Sequence, residues 1–228
     1  MKKTILALCL ILCIIAGACT ALADAMTFRD EDGNVLEQGA SLSGKFYYRV
    51  YVEGVAEDCE AIQTGWVHDA TATEPVDWET VPRYLYTDEK GTFFYVIPIV
   101  GAEYTEETMF ARRDENDPDI ARLVFYYDRE TVIESEIPEF TNEEEPVLGQ
   151  HDYVLTWTDV EGAEFYELLW QKPSGKVFYY MFLDNEVNLD GMDDDPSGEV
   201  GTYYMQVYPY KDGHPMTWSG VWYYEISE

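Results

Sequence analysis

The sequence predicts an all-β protein, two tandem β-sandwich domains behind a cleaved export leader. Short runs rich in aromatic and β-branched residues recur along the chain, turn clusters separate them, and no stretch carries a sustained helical stripe of apolar residues. Aromatic residues make up 15% of the chain and are interleaved with acids, as in strands with one buried and one solvated face.

The elements follow in order. Lys2 and Lys3 precede an apolar run over residues 5–18, and Ala21-Leu22-Ala23 stands just before Asp24, the make-up of a signal peptide cut after Ala23. The run is 14 residues long, short of the roughly 20 that a helix needs to span a bilayer. The mature chain of 205 residues (228 less 23) is therefore expected to carry no transmembrane segment. An alternative cut inside Ala16-Gly17-Ala18-Cys19 would leave a lipoprotein anchored through Cys19. Cys9 and Cys13 leave with the leader and Cys59 is the remaining thiol, so stability must come from a core rather than an internal disulfide. The expected location is extracytoplasmic, periplasmic or secreted, by a bacterial-type route.

All 45 acids stay after cleavage against 12 bases (14 less 2), a charge of about −33. Such a field repels nucleic acid and anionic lipid, and draws cations.

The acidic run Glu143-Glu144-Glu145-Pro146 marks the expected boundary, giving domains 24–142 and 143–228. In the first, strands are expected over 45–52, 92–100, 109–113 and 121–127, with turns at Asp32-Gly33, Lys90-Gly91 and Asn116-Asp117-Pro118. In the second they are expected over 154–157, 165–170, 177–183 and 202–210, with inward positions at Tyr203, Met205 and Val207.

Trp157 at the end of an apolar strand, Tyr166 in the next, Tyr203 further on and a last strand after Trp218-Ser219 resemble a fibronectin type III domain. The resemblance runs from about Pro146 to Ser227 and departs from the family in a long acidic stretch over 191–199. It implies an immunoglobulin-like sandwich with Trp157 in strand B, Tyr166 in strand C and Tyr203 in strand F. It also implies a binding or spacing module without catalysis, although the fold carries no activity of its own.

Asp190, Asp193, Asp194, Asp195 and Glu199 concentrate five carboxylates in one loop. Calcium takes six to eight oxygen ligands, so this loop is the candidate metal site; a solvated acidic turn is the other reading. The segment 114–119 is a weaker form of the same signal, and Asp30-Glu31-Asp32-Gly33-Asn34 reads better as a hairpin turn. Trp66, Trp78, Trp170 and Trp222 are candidates for an exposed aromatic surface that stacks on sugar rings or meets a protein partner. Adjacent Arg112 and Arg113 point to opposite faces of a strand and suit ion pairs with neighbouring acids.

His68, His151 and His214 stand apart from any nucleophile or one another, so neither a triad nor a zinc motif is present. No catalytic residue and no cofactor beyond possible calcium is expected. These readings favour an exported, non-catalytic binding or structural module that meets a protein at or outside the cell envelope. The alternative is a carbohydrate-binding protein, and the third reading a glycan-directed hydrolase, whose paired carboxylates chance alone supplies among 45 acids.

Overall fold

The computed structural model describes residues 26–54, 62–80, 85–99, 101–150, 153–188 and 198–227. The expected leader, Cys19, Cys59, His151 and the loop carboxylates Asp190, Asp193, Asp194 and Asp195 lie outside them. The described residues are all-β, as the sequence predicts. The strands are β1 (Thr27–Arg29), β2 (Val35–Leu36), β3 (Ser41–Lys45), β4 (Tyr48–Glu53), β5 (Gln63–Val67), β6 (Glu79–Thr80), β7 (Tyr86–Asp88), β8 (Gly91–Val96) and β9 (Glu106–Arg112). Then come β10 (Ala121–Tyr127), β11 (Val154–Thr156), β12 (Phe165–Gln171), β13 (Val177–Phe182), β14 (Glu186–Asn188), β15 (Gly201–Lys211), β16 (His214–Pro215) and β17 (Trp222–Ile226).

The chain folds into two compact units. One comprises the chain up to Ser41 with Arg49–Tyr95 and Thr108–Val124; the other comprises Leu42–Tyr48, Val96–Glu107 and Phe125–Glu228, and so contains the acidic run at 143–146. The strands of residues 27–127 form two five-stranded sheets, in the orders β2-β1-β4-β8-β7 and β3-β10-β9-β5-β6.

In the first unit, Phe28, Val50, Val52, Phe94, Met109 and Leu123 are buried, and Phe28 meets Phe94 edge to face at 6.3 Å. The Asp30–Asn34 stretch is a hairpin turn: the Asp30 N–H donates to the Asn34 carbonyl at 3.0 Å, and its carboxylate accepts from the Asn34 N–H at 2.8 Å. Arg112 ends β9 and Arg113 lies in the bend just past it, and the two take different partners. The Arg112 guanidinium covers the Trp78 ring at 4.0 Å, whereas Arg113 pairs with Asp117 at 2.7 Å. That pairing, led by the side-chain bond to Arg113, holds the Asp117 carboxyl well below the usual carboxylate range.

The predicted single strand over 45–52 is in fact two, β3 and β4, broken at Phe46 and Tyr47. Both of these residues donate their N–H groups to the Gly213 carbonyl, at 2.7 and 3.1 Å. Gly213 sits with Asp212 in the two-residue turn joining β15 to β16, and both have positive φ (85° and 49°), as a type I′ hairpin requires. Aromatic alternation alone reads straight through such a break, because the residues that leave the ladder are as apolar as those that stay.

In the second unit, β11 pairs with β14, and Phe140 bridges to Trp157 on the same side. The facing sheet runs β13-β12-β15 with β16 and β17 both on β15. Their inner faces share one core that includes Leu155, Trp157, Tyr166, Trp170, Tyr203 and Val207. Tyr203 and Tyr224 stack at 4.8 Å. Tyr203 also closes a tyrosine corner: its hydroxyl accepts from the Glu199 N–H and donates to the Glu199 carbonyl, both at 3.0 Å. Trp157, Tyr166 and Tyr203 thus stand where the family resemblance puts them.

Candidate functional site

Strand alternation leaves one face of the β13-β12-β15-β17 sheet pointing away from that core. The inner positions are Tyr166, Leu168 and Trp170 on β12 and Tyr203, Met205 and Val207 on β15, so the residues between them point outward. Register then arranges the outward residues in rows across the strands. Tyr223, Tyr204, Gln171 and Val177 form one row, and Gln206, Leu169 and Tyr179 the next. Tyr208, Glu167 and Met181 follow, and then Tyr210 with Phe165.

The rows differ in cover. Phe165 and Tyr210 are fully buried, stacked on each other at 4.8 Å. Phe46 lies over Tyr210 at 5.9 Å and Tyr47 meets Phe165 edge to face at 5.0 Å. At the opposite end, Tyr204 and Tyr223 are 44% and 66% exposed. The break in the predicted strand at Phe46-Tyr47 is therefore what closes one end of the face and leaves the other open.

Between the two ends lies a cleft of about 340 Å³, lined by Phe46, Arg129, Gln206, Tyr208, Tyr210 and Trp218 among others. Trp218 reaches it because Ser219 replaces a strand pairing. The Ser219 N–H donates to the Val207 carbonyl at 3.0 Å, and its hydroxyl accepts from the Val207 N–H at 2.8 Å. The chain bulges just before β17, and the Trp218 ring stacks on Tyr208 at 5.8 Å. Arg129, the one charged residue in the lining, donates from Nε to the Tyr104 carbonyl at 2.9 Å and sits 5.4 Å from the Phe46 ring.

Beneath the cleft, Glu167 is buried in the third row and accepts the Tyr210 hydroxyl at 2.7 Å. Loss of solvation pushes its carboxyl up to about 7, against the lowering effect of that hydrogen bond. Burial, reinforced by Glu167, raises Tyr179, Tyr208 and Tyr210 in turn. A second buried acid in this unit, Glu107, accepts the Tyr127 hydroxyl at 2.7 Å. Both acids are engaged by a phenol inside the protein, an arrangement that stores a carboxyl rather than presents one to a substrate.

The aromatic set expected from the sequence does not form this surface. Trp170 is wholly buried in the core of the second unit, and Trp222 packs inward, stacked on Phe140 at 5.0 Å. Trp66 and Trp78 are half-buried in the first unit. The rings that reach solvent on or beside this face are instead Tyr179, Tyr204, Trp218 and Tyr223. Their signal was present: once Tyr203, Met205 and Val207 are assigned inward, Tyr204, Gln206 and Tyr208 are outward by parity.

Of the expected metal ligands, Glu199 is described. Its carboxylate faces Lys172 Nζ at 3.9 Å and accepts from the Ser174 N–H at 3.3 Å. No cluster of three or more metal-ligating side chains occurs among the described residues. In the 114–119 turn, Asp117 is taken up by Arg113 and by the Asp119 N–H at 3.0 Å.

No protein-family model matches the chain, and no curated protein matches it. Among solved structures it is similar to the FN1-FN3 domains of chicken CNTN1, at 11% identity and a TM-score of 0.34, over 84% of this chain and 64% of that one. It is also similar to a tetra-tandem repeat in the extending region of a large adhesion protein, at 12% identity and a TM-score of 0.28, over 89% of this chain and 49% of that one. A cytokine receptor complex matches at 12% identity and 0.28, over 80% and 92%. The chain thus spans less than two thirds of the first two. The β-sandwich assignment rests on this chain's own strand order, its shared core and its tyrosine corner.

Proposed function

We propose that this chain is an exported, non-catalytic binding module that engages a protein or glycan partner outside the cytoplasm through the outer face of the β13-β12-β15-β17 sheet. One observation carries the reading. Five aromatic residues stand among the exposed large hydrophobic side chains of the described residues, and Tyr179, Tyr204, Trp218 and Tyr223, four of the five, lie on or beside this face. Aromatic residues grouped on one solvated face mark an interaction surface, whereas singly scattered ones do not. Export is supported by the leader at residues 1–23. Absence of catalysis is supported by the phenol bonds of Glu107 and Glu167.

The test is site-directed photo-cross-linking in the envelope and medium of the host. A photoreactive residue replacing Tyr223 is expected to give discrete adducts that disappear in the Tyr204→Ala background. The same probe at Val76, 79% exposed in the first unit, is expected to give none of them. Identical adducts from both positions, or none from Tyr223, would overturn the assignment of this face.

A further inference from the structure

We infer that the open rows of this sheet bind a neutral polysaccharide chain laid across the strands, an inference that rests on the binding-module reading and names its ligand. Charge provides the first argument. No Asp, Glu, Lys or Arg occupies the outward positions of the two open rows, Tyr223, Tyr204, Gln171 and Val177 and then Gln206, Leu169 and Tyr179. The whole chain carries a formal charge of −31. An anionic polymer is repelled by that field, and a basic protein attracted by it would find no carboxylate within the two open rows, Glu225 standing one outward position beyond Tyr223 on β17. An uncharged ligand meets neither obstacle.

Shape and spacing provide the second. An aromatic anchor of a protein partner is held in a desolvated pocket, but Tyr204 and Tyr223 are cross-strand neighbours on an open pleated surface. Successive strands stand about 4.8 Å apart, close to the length of one pyranose residue in an extended chain. A glycan crossing β17, β15, β12 and β13 would therefore place one ring over each of Tyr223, Tyr204, Gln171 and Val177 in turn. The tyrosines supply flat apolar area with a polar tip. Gln171, mid-row, supplies an amide that both donates to and accepts from hydroxyl groups.

The experiment is affinity electrophoresis of the protein exported with its own leader, in gels containing hydroxyethyl cellulose, xyloglucan or galactomannan, with polygalacturonate as the anionic comparison. Retardation by at least one neutral polymer and none by polygalacturonate is expected. Tyr204→Ala and Tyr223→Ala should each weaken retardation about tenfold, a loss of about 1.4 kcal/mol of binding. Tyr223→Leu, which keeps apolar bulk on the strand but removes the ring, should weaken it similarly, with thermal unfolding unchanged. Retardation by polygalacturonate as strong as by the neutral polymers overturns the inference. So does no retardation by any of them; if the Tyr223 adducts then still depend on Tyr204, the partner is a protein and the module reading stands. Loss of both results removes both.

Discussion

Glu167 offers the sharpest test of how this sheet is built. Its carboxyl is buried beneath the cleft, bonded to Tyr210, with Tyr208 and Tyr179 near enough to feel its charge and Arg129 acting on Tyr210. Burial raises it from an ordinary 4.5 to about 7. A carboxyl raised on folding adds stability while it is protonated, fully below about 4.5, and loses that contribution as pH climbs through about 7. At about 1.4 kcal/mol per pH unit between the two values, the ionised group costs the fold about 3 kcal/mol at pH 8 relative to pH 4. Glu167→Gln stays neutral throughout and keeps an acceptor for Tyr210. Its NH₂ group, if left without a partner, costs about 1–3 kcal/mol at every pH. The diagnostic is therefore the pH dependence of the difference between variant and wild type, which cancels the titration of the many other acids. Urea unfolding from pH 4 to pH 8 should show the variant gaining about 3 kcal/mol on the wild type across that window. A difference that stays flat, or grows toward acid, would refute the burial argument.

Two further outcomes follow from the packing. Tyr203→Phe removes both tyrosine-corner hydrogen bonds to Glu199 while leaving the stacked rings in place; it should cost about 1–3 kcal/mol and lower the melting temperature, and an unchanged melting curve would mean the corner is only geometric. Gly65→Ala would put a Cβ 2.4 Å from Pro75 Cβ and 2.6 Å from the Asp77 carbonyl oxygen, so β5 must move away from the loop it supports. Its urea midpoint should fall by the equivalent of about 1–3 kcal/mol, and a wild-type midpoint would show that the approach is not tight.

Much of the architecture was legible in residue order. Alternation and turn chemistry predict β10 over 121–127 as found, and bring β12, β13 and β15 to within a few residues. The inward set Tyr203, Met205 and Val207 follows from apolar positions two apart, because a strand has a strict period of two and a one-residue slip would turn all three out to water, whereas Trp157 and Tyr166 in the same core are what the family resemblance implies. Charge likewise sets the electrostatic field before any folding occurs.

The surface was settled by tertiary structure alone. Trp170 and Tyr204 look equivalent in sequence, each a large ring in an aromatic strand, yet one is wholly buried and the other is 44% exposed. Glu167 takes an outward position by parity, yet it is interior because Phe46 and Tyr47 leave the strand to pack on Tyr210 and Phe165 beside it. Periodicity says which side of a sheet a residue takes, since that is a property of the local backbone. Whether that side meets water depends on which distant segment covers it, and here the Gly213 carbonyl holds Phe46 and Tyr47 in place from more than 160 residues away.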